Sequence, residues 1–342
     1  MSEKLAPFVK FKNSMELNTN SEVGVVGLGL MGTSIATALL INGQKVIALA
    51  PVLSETNQTA PDRILHALEE CYREGLSSTP PKDLFQNLQF TSNYADLKSC
   101  WLVMECVLED VKVKQDVYGK IESNVSDEAI IATNTSAIPI SLLQNYLKVP
   151  ERFFGMHWAE PAYISQFLEI ICGEKSPLEI GRQLYVIAKK WGKEPTLVRK
   201  DIRGFITNRI MYAMYREAFH LVENGYATIE DVDRACKNDG GHWMTFCGLF
   251  RYMDLTGLQA YHAVIKDLFP ELSNQTTVPK LIDDIAKEGG NGIFNGKGFY
   301  EYSSGEAKEW ELVFEKFKFD VNRLSLKYAD KTKDISSLKT KK

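Results

Sequence analysis

The segment Val23-Gly24-Val25-Val26-Gly27-Leu28-Gly29-Leu30-Met31-Gly32 sets three glycines at the spacing G-x-G-x-x-G, directly ahead of Thr33-Ser34-Ile35-Ala36. That spacing suits a pyrophosphate. Gly27 permits a tight turn, Gly29 lets backbone N–H groups approach the anion with no Cβ in the way, and Gly32 lets a helix pack closely on the preceding strand. The anion would then sit where free N–H groups and the helix dipole favour negative charge. Gly27, Gly29, Leu30, Met31 and Gly32 are therefore the residues expected to meet a dinucleotide. Three further polar stretches stand apart in the chain: Asn134-Thr135-Ser136, His157-Trp158-Ala159-Glu160-Pro161, and Gly204-Phe205-Ile206-Thr207-Asn208-Arg209. Glu169 lies inside the apolar run Phe167 to Ile171, where a carboxylate is costly unless it meets a partner. Taken singly, His157 also reads as a packed histidine, Ser136 as the cap of a helix begun near Pro139, and Asn208 as a cap.

These residues must be carried by a framework, and the chain supplies a regular one. Apolar runs at Glu22–Gly27, Lys45–Ala50, Leu88–Thr91, Trp101–Cys106, Ile130–Asn134 and Phe153–Trp158 read as strands. Helical patterns fall between them at Ser34–Ile41, Pro61–Gly75 and Val111–Ile121. Alternating β and α units with wholly apolar strands imply a parallel sheet covered on both faces, and the glycine segment falls between strand and helix as a dinucleotide loop requires. The fold class expected is an α/β Rossmann domain, doubly wound and mostly parallel, followed by an all-α domain. The helical part carries patterns at Gly204–Asn224, Thr228–Cys236, Asp254–Phe269 and Val278–Glu288. Expected bounds are an arm over residues 1–21, the Rossmann domain over 22–200, the helical domain over 201–305, and a charged, solvated extension over 306–342.

Composition narrows the function classes. Of 342 residues, 40 are Lys or Arg and 44 are Asp or Glu, a net charge of −4. No general basic field exists to hold nucleic acid, and no apolar run approaches the ~20 residues of a membrane span. The start of the chain lacks the pattern of a secretory signal. The six cysteines, Cys71, Cys100, Cys106, Cys172, Cys236 and Cys247, form no metal or redox spacing. Buried free thiols in a reducing cytoplasm are expected, with no metal.

The ordered motifs resemble those of the L-3-hydroxyacyl-CoA dehydrogenase family, from Glu22 to about Tyr302. Asn134-Thr135-Ser136 matches the family's N-T-S, and His157 to Pro161 its H-F-F-N-P. Phe167-Leu168-Glu169 matches its L-V-E, with the His-to-Glu spacing of twelve kept. Gly204 to Arg209 matches G-F-x-x-N-R, and Gly296-Lys297-Gly298-Phe299-Tyr300 matches the closing G-K-G-F-Y. The resemblance implies that His157 is the general base taking a hydroxyl proton as hydride leaves for NAD, work suited to an imidazole. It implies that Glu169 fixes and stabilises that imidazole, and that Ser136 and Asn208 hydrogen-bond the substrate oxygen and the base. Glu109 and Asn134 would lie near the nicotinamide. A homodimer through the helical domain and a short- to medium-chain L-3-hydroxyacyl-CoA substrate are implied as well.

Three departures leave alternatives open. The ribose-binding acid expected after the second strand is replaced by Ala50-Pro51, with Glu55 next and no arginine before Arg63, so NAD is expected and NADP is not excluded. Glu160 stands where the family has Asn. The segment Ser54 to Pro81 lacks the lysine-rich helix that holds CoA phosphates in relatives, and Pro161-Ala162-Tyr163 resembles relatives that oxidise free hydroxy acids, such as gulonate or carnitine 3-dehydrogenases. A non-catalytic dinucleotide-binding protein is the remaining alternative.

Overall fold

Four stretches, β1 (Val23–Val26), β2 (Val46–Leu49), β4 (Leu102–Glu105) and β5 (Ile130–Thr133), are buried along their whole length. That is what strands sandwiched between helices require. The computed structural model describes residues 21–51 and 58–337; Glu55 and all of the expected arm except Ser21 lie outside the described residues. With β3 (Leu88–Thr91), β6 (Phe153–Trp158), β7 (Phe167–Cys172) and β8 (Glu194–Val198), these strands form one eight-stranded sheet in the order β3-β2-β1-β4-β5-β6-β7-β8. Every neighbouring pair is parallel except β6 with β7.

Helices α1 (Leu30–Ile41), α2 (Ala60–Arg73), α3 (Pro81–Phe85), α4 (Val111–Glu122), α5 (Ile140–Leu143) and α6 (Leu178–Lys190) cover the two faces. Ile35, Leu39, Ile64, Leu68, Leu184 and Ile187 pack with Met104, Met156 and Trp158 on one side. Val117, Tyr118, Ile121 and Leu143 pack with Val103, Ile131 and Phe153 on the other. Strands β7 and β8 and helix α6 extend the sheet beyond the alternation recognised in the sequence. Phe167–Cys172 carries Glu169 among apolar residues, and β8 contains Pro195, so neither shows a clean period of two.

The chain divides into two compact units between Phe205 and Ile206. Phe205, the last residue of the first unit, is buried in that unit's core. The second unit is helical: α7 (Thr207–Glu223), α8 (Ile229–Asn238), α9 (Gly240–Met244), α10 (Leu249–Thr256), α11 (Leu258–Leu268), α12 (Lys280–Lys287) and α13 (Ser304–Ser337). Thr228 caps α8 by accepting a hydrogen bond from the Asp231 N–H at 3.1 Å. The single helix expected over Asp254–Phe269 is two, because Gly257 takes φ +102° between α10 and α11. The described part of the charged extension lies in the 34-residue α13, which exposes Trp310, Phe314 and Phe317 as well as charge. Among the described residues no helix is long and apolar enough to cross a membrane.

Candidate active site

The glycine loop leads from β1 into α1. Gly27 has φ +96°, and a Cβ there would lie 2.8 Å from the Cys106 backbone; a Cβ on Gly32 would lie 1.8 Å from the Gly27 carbonyl oxygen. Both positions are therefore closed to any side chain. A Cβ on Gly29 would meet no heavy atom within 4 Å, so this position faces open space where a ligand can approach. Gly29 is the N-cap of α1 and no side chain caps the helix, which leaves its first N–H groups for an anion. Leu30 is exposed on the first turn, while Met31 packs partly against the core. Arg63 of α2 donates to the Leu28 carbonyl at 2.7 Å and steadies the loop from outside; burial lowers its pKa. This cradle fits the pyrophosphate of NAD.

His157 and Glu169 are direct register partners across the antiparallel β6–β7 pair. Opposed residues share one face of a sheet, so the spacing of twelve follows from the pairing register. Nδ1 of His157 lies 2.9 Å from Oε2 of Glu169; Glu169 is wholly buried and His157 retains 9% of its surface. Phe167 meets the imidazole edge-on at 5.4 Å between ring centroids, and Phe205 lies at 5.8 Å. With Nδ1 turned to the carboxylate, Nε2 is the nitrogen available for proton exchange.

A second polar cluster stands at the carboxyl ends of β4 and β5. Glu105, fully buried, accepts hydrogen bonds from Lys114 Nζ at 2.9 and 3.0 Å, Tyr118 Oη at 2.8 Å, Thr133 Oγ1 at 2.7 Å and the Val107 N–H at 2.7 Å. Burial pushes the Tyr118 phenol well up. Lys114 also lies 3.3 Å from Glu109, which accepts from the Thr135 hydroxyl and, at 3.1 Å, from the Ser136 N–H. Asn134 accepts the Trp158 N–H at 2.9 Å. Glu109 and Asn134 thus tie the loop after β5 to the loop after β4 and to strand β6. The sequence reading missed Glu105 and Lys114. The signal was present: Lys114 falls on the apolar stripe shared with Val117, Tyr118 and Ile121, at i, i+3, i+4 and i+7, where a cation needs a buried acid.

Ser136 sits on the loop after β5, and Asn208 in the first turn of α7, in the second unit. The other histidines, His66, His220, His242 and His262, lie away from β6 and β7 in the sequence, on α2, α7, α9 and α11. Helix α2 carries Asp62, Glu69 and Glu70 against Arg63 and Arg73. Arg73 lies within salt-bridge distance of Glu70 and Glu74. No group of three or more metal-ligating side chains was found among the described residues.

Residues 22–202 match the family model of the 3-hydroxyacyl-CoA dehydrogenase NAD-binding domain, and residues 204–302 match that of the C-terminal domain. The chain is 32% identical to a 5-formyl-3-hydroxy-2-methylpyridine 4-carboxylate 5-dehydrogenase of Mesorhizobium japonicum, covering 84% of this chain and 92% of that one. It is also 32% identical to a probable 3-hydroxybutyryl-CoA dehydrogenase of Deinococcus radiodurans, over 82% and 99% of the two chains. A crystal structure of a 5-formyl-3-hydroxy-2-methylpyridine 4-carboxylic acid 5-dehydrogenase, described as an NAD+-dependent dismutase, superposes with a TM-score of 0.82 at 30% identity, covering 89% of this chain and 98% of that one. The chain belongs to the 3-hydroxyacyl-CoA dehydrogenase family and is an NAD-dependent oxidoreductase.

Proposed function

We propose that the chain oxidises the 3-hydroxyl of an L-3-hydroxyacyl-CoA reversibly to the 3-keto group, with His157 as general base and Glu169 as its partner. The observation that carries this is the 2.9 Å contact between Nδ1 of His157 and the buried carboxylate of Glu169. Bound NAD supplies the hydride acceptor. Glu169 holds the Nδ1–H tautomer, so that Nε2 takes the hydroxyl proton, and it stabilises the imidazolium that results. Ser136 and Asn208 are assigned to the substrate oxygen, which they would polarise in the reverse direction. Purified protein given NADH and acetoacetyl-CoA is expected to lose NADH absorbance. His157→Gln is expected to bind NADH as wild type does and to turn over about 10²–10⁴-fold more slowly. Wild type that binds NADH yet turns over no member of a substrate panel would leave only a non-catalytic dinucleotide-binding role.

One observation favours a second reading, a dehydrogenase of a free hydroxy acid. Within α2 the charge is net acidic, Arg63 is engaged with the glycine loop, and Arg73 lies between Glu70 and Glu74, a poor surface for CoA phosphates. The relative from Mesorhizobium is named for a pyridine carboxylate. The panel should therefore include gulonate and carnitine, and turnover of these without turnover of acetoacetyl-CoA would select the free acid. We also propose a homodimer through the helical unit. None of α7 to α12 has a buried residue, while Phe250, Leu255, Leu258 and Phe269 are exposed, a surface that a second copy would cover. The mass in sedimentation equilibrium checks this.

A further inference from the structure

Lys193 lies between α6 and β8 and is buried, although no step assigned above uses it. Its Nζ donates to the carbonyl oxygens of Ala162 and Ser165 and stands 5.2 Å from the centroid of the Trp158 ring. These acceptors belong to residues 159–166, the loop joining β6 to β7. The Ile164 and Ser165 N–H groups both bond to the Pro161 carbonyl, closing one tight turn. Side chains also tie the loop to the helices. Ser34 of α1 accepts the Ala162 N–H at 2.7 Å, and Tyr163 donates to Glu70 of α2 at 3.1 Å. Its two ends are the two halves of the base pair: Trp158 follows His157, and Phe167, edge-on to the imidazole, precedes Glu169 by two residues.

We propose that Lys193 is a positioning residue for the reaction: its ammonium fastens the β6–β7 loop, and with it the alignment of His157 against Glu169 and the substrate. This rests on the assignment of that pair as the base. A lysine is an expensive way to fill this space. Burial pulls Lys193 down to about 8, so the folded protein disfavours the charge that the two carbonyls require. The cation is therefore better explained by what it holds than by the stability it adds. Cys71 of α2 acts on Lys193 electrostatically, Glu70 acts in turn on Cys71 and Tyr163, and Glu160 acts on Tyr163. Burial pushes the Cys71 thiol up to about 12 and Tyr163 higher still, so Lys193 gives up its proton before either. Once it is neutral, the hold on the carbonyls weakens, and an ångström of misalignment at a base is enough to cost about 10²-fold in rate.

The test compares full-length wild type, Lys193→Met and Lys193→Arg, using NAD and whichever substrate wild type accepts. In Lys193→Met, kcat is expected to fall about 10- to 100-fold, with KM for NAD changed by less than about threefold. Amide exchange over residues 162–166 should quicken. Lys193→Arg, which keeps charge and donors, should recover most of the rate and move the alkaline limb of the kcat profile to higher pH than in wild type. A Lys193→Met protein with wild-type kcat, or one with lowered kcat and unchanged exchange in the loop, overturns the proposal. Should wild type turn over no substrate, the base-pair assignment fails, and loop exchange alone then decides: unchanged exchange in Lys193→Met removes the fastening role. If Lys193→Met does not fold, wild-type exchange at pH 7 and 9.5, corrected for intrinsic rates, decides instead, and a loop no looser at the higher pH refutes the idea.

Discussion

A carboxylate with no solvent exposure, as at Glu169, would ordinarily take up a proton or find a cation. Here it faces the Nδ1 of His157, a group whose charge changes during the proposed reaction, so its negative charge counts most when the imidazole becomes protonated. Glu169→Gln keeps the shape and removes that charge. It is expected to lower kcat by about 10²–10⁴-fold while the dissociation constant for NADH stays within about twofold of wild type; fluorescence titration and steady-state kinetics check the two halves. At this scale much was legible from residue type. The glutamate in the apolar run demanded a partner, and the histidine at the family's spacing supplied one. Asn134 and Glu109 stood out by residue type, but not the contacts that occupy them, with the Trp158 backbone and with Lys114, Thr135 and the Ser136 N–H.

The turn from β1 into α1 separates two uses of glycine that the motif alone merges. A Cβ on Gly29 meets open space, whereas one on Gly32 runs into the Gly27 carbonyl. Gly29→Ala should therefore fold as wild type does and weaken NADH binding about tenfold or more, equivalent to about 1.4 kcal/mol, because the methyl occupies ground the pyrophosphate needs. Gly32→Ala should lose about 1–3 kcal/mol or more of stability through overpacking and lose NADH binding with it. Urea denaturation beside NADH titration distinguishes the two. Helix and strand existence was legible here because the periodicities were clean. The gap between α10 and α11 was not, because the apolar pattern runs on across Gly257 and only its backbone angle shows the break.

Across the first unit, the buried thiols work against stability at alkaline pH. Burial raises Cys71 and Cys100 to about 12 and Cys172 to about 11, each from an ordinary value near 9. Above pH 9 the unfolded chain releases these protons while the folded protein keeps them. The folded state then binds more protons, and stability falls as pH rises, by at most about 1.4 kcal/mol per pH unit for each thiol. Lys193 acts in the opposite sense between about 8 and its ordinary 10.5, where the unfolded chain holds the extra proton. The urea midpoint is expected to fall between pH 9.5 and 11, and to fall less in Cys100→Ala. An unchanged slope in that variant would remove Cys100 from the account.

By itself the sequence determined the alternation of strands and helices, the dinucleotide loop and the residues suited to a base pair, because these are written in local periodicity and residue chemistry. Only the tertiary structure decided the register that sets His157 opposite Glu169 and the antiparallel turn that makes a spacing of twelve a contact. It also decided the burial of Glu105 with Lys114 and the grip of Lys193 on a loop some thirty residues earlier. Such pairings depend on which distant segments come to share a face. That is a property of packing, in which one buried charge finds another only after the sheet has closed around both.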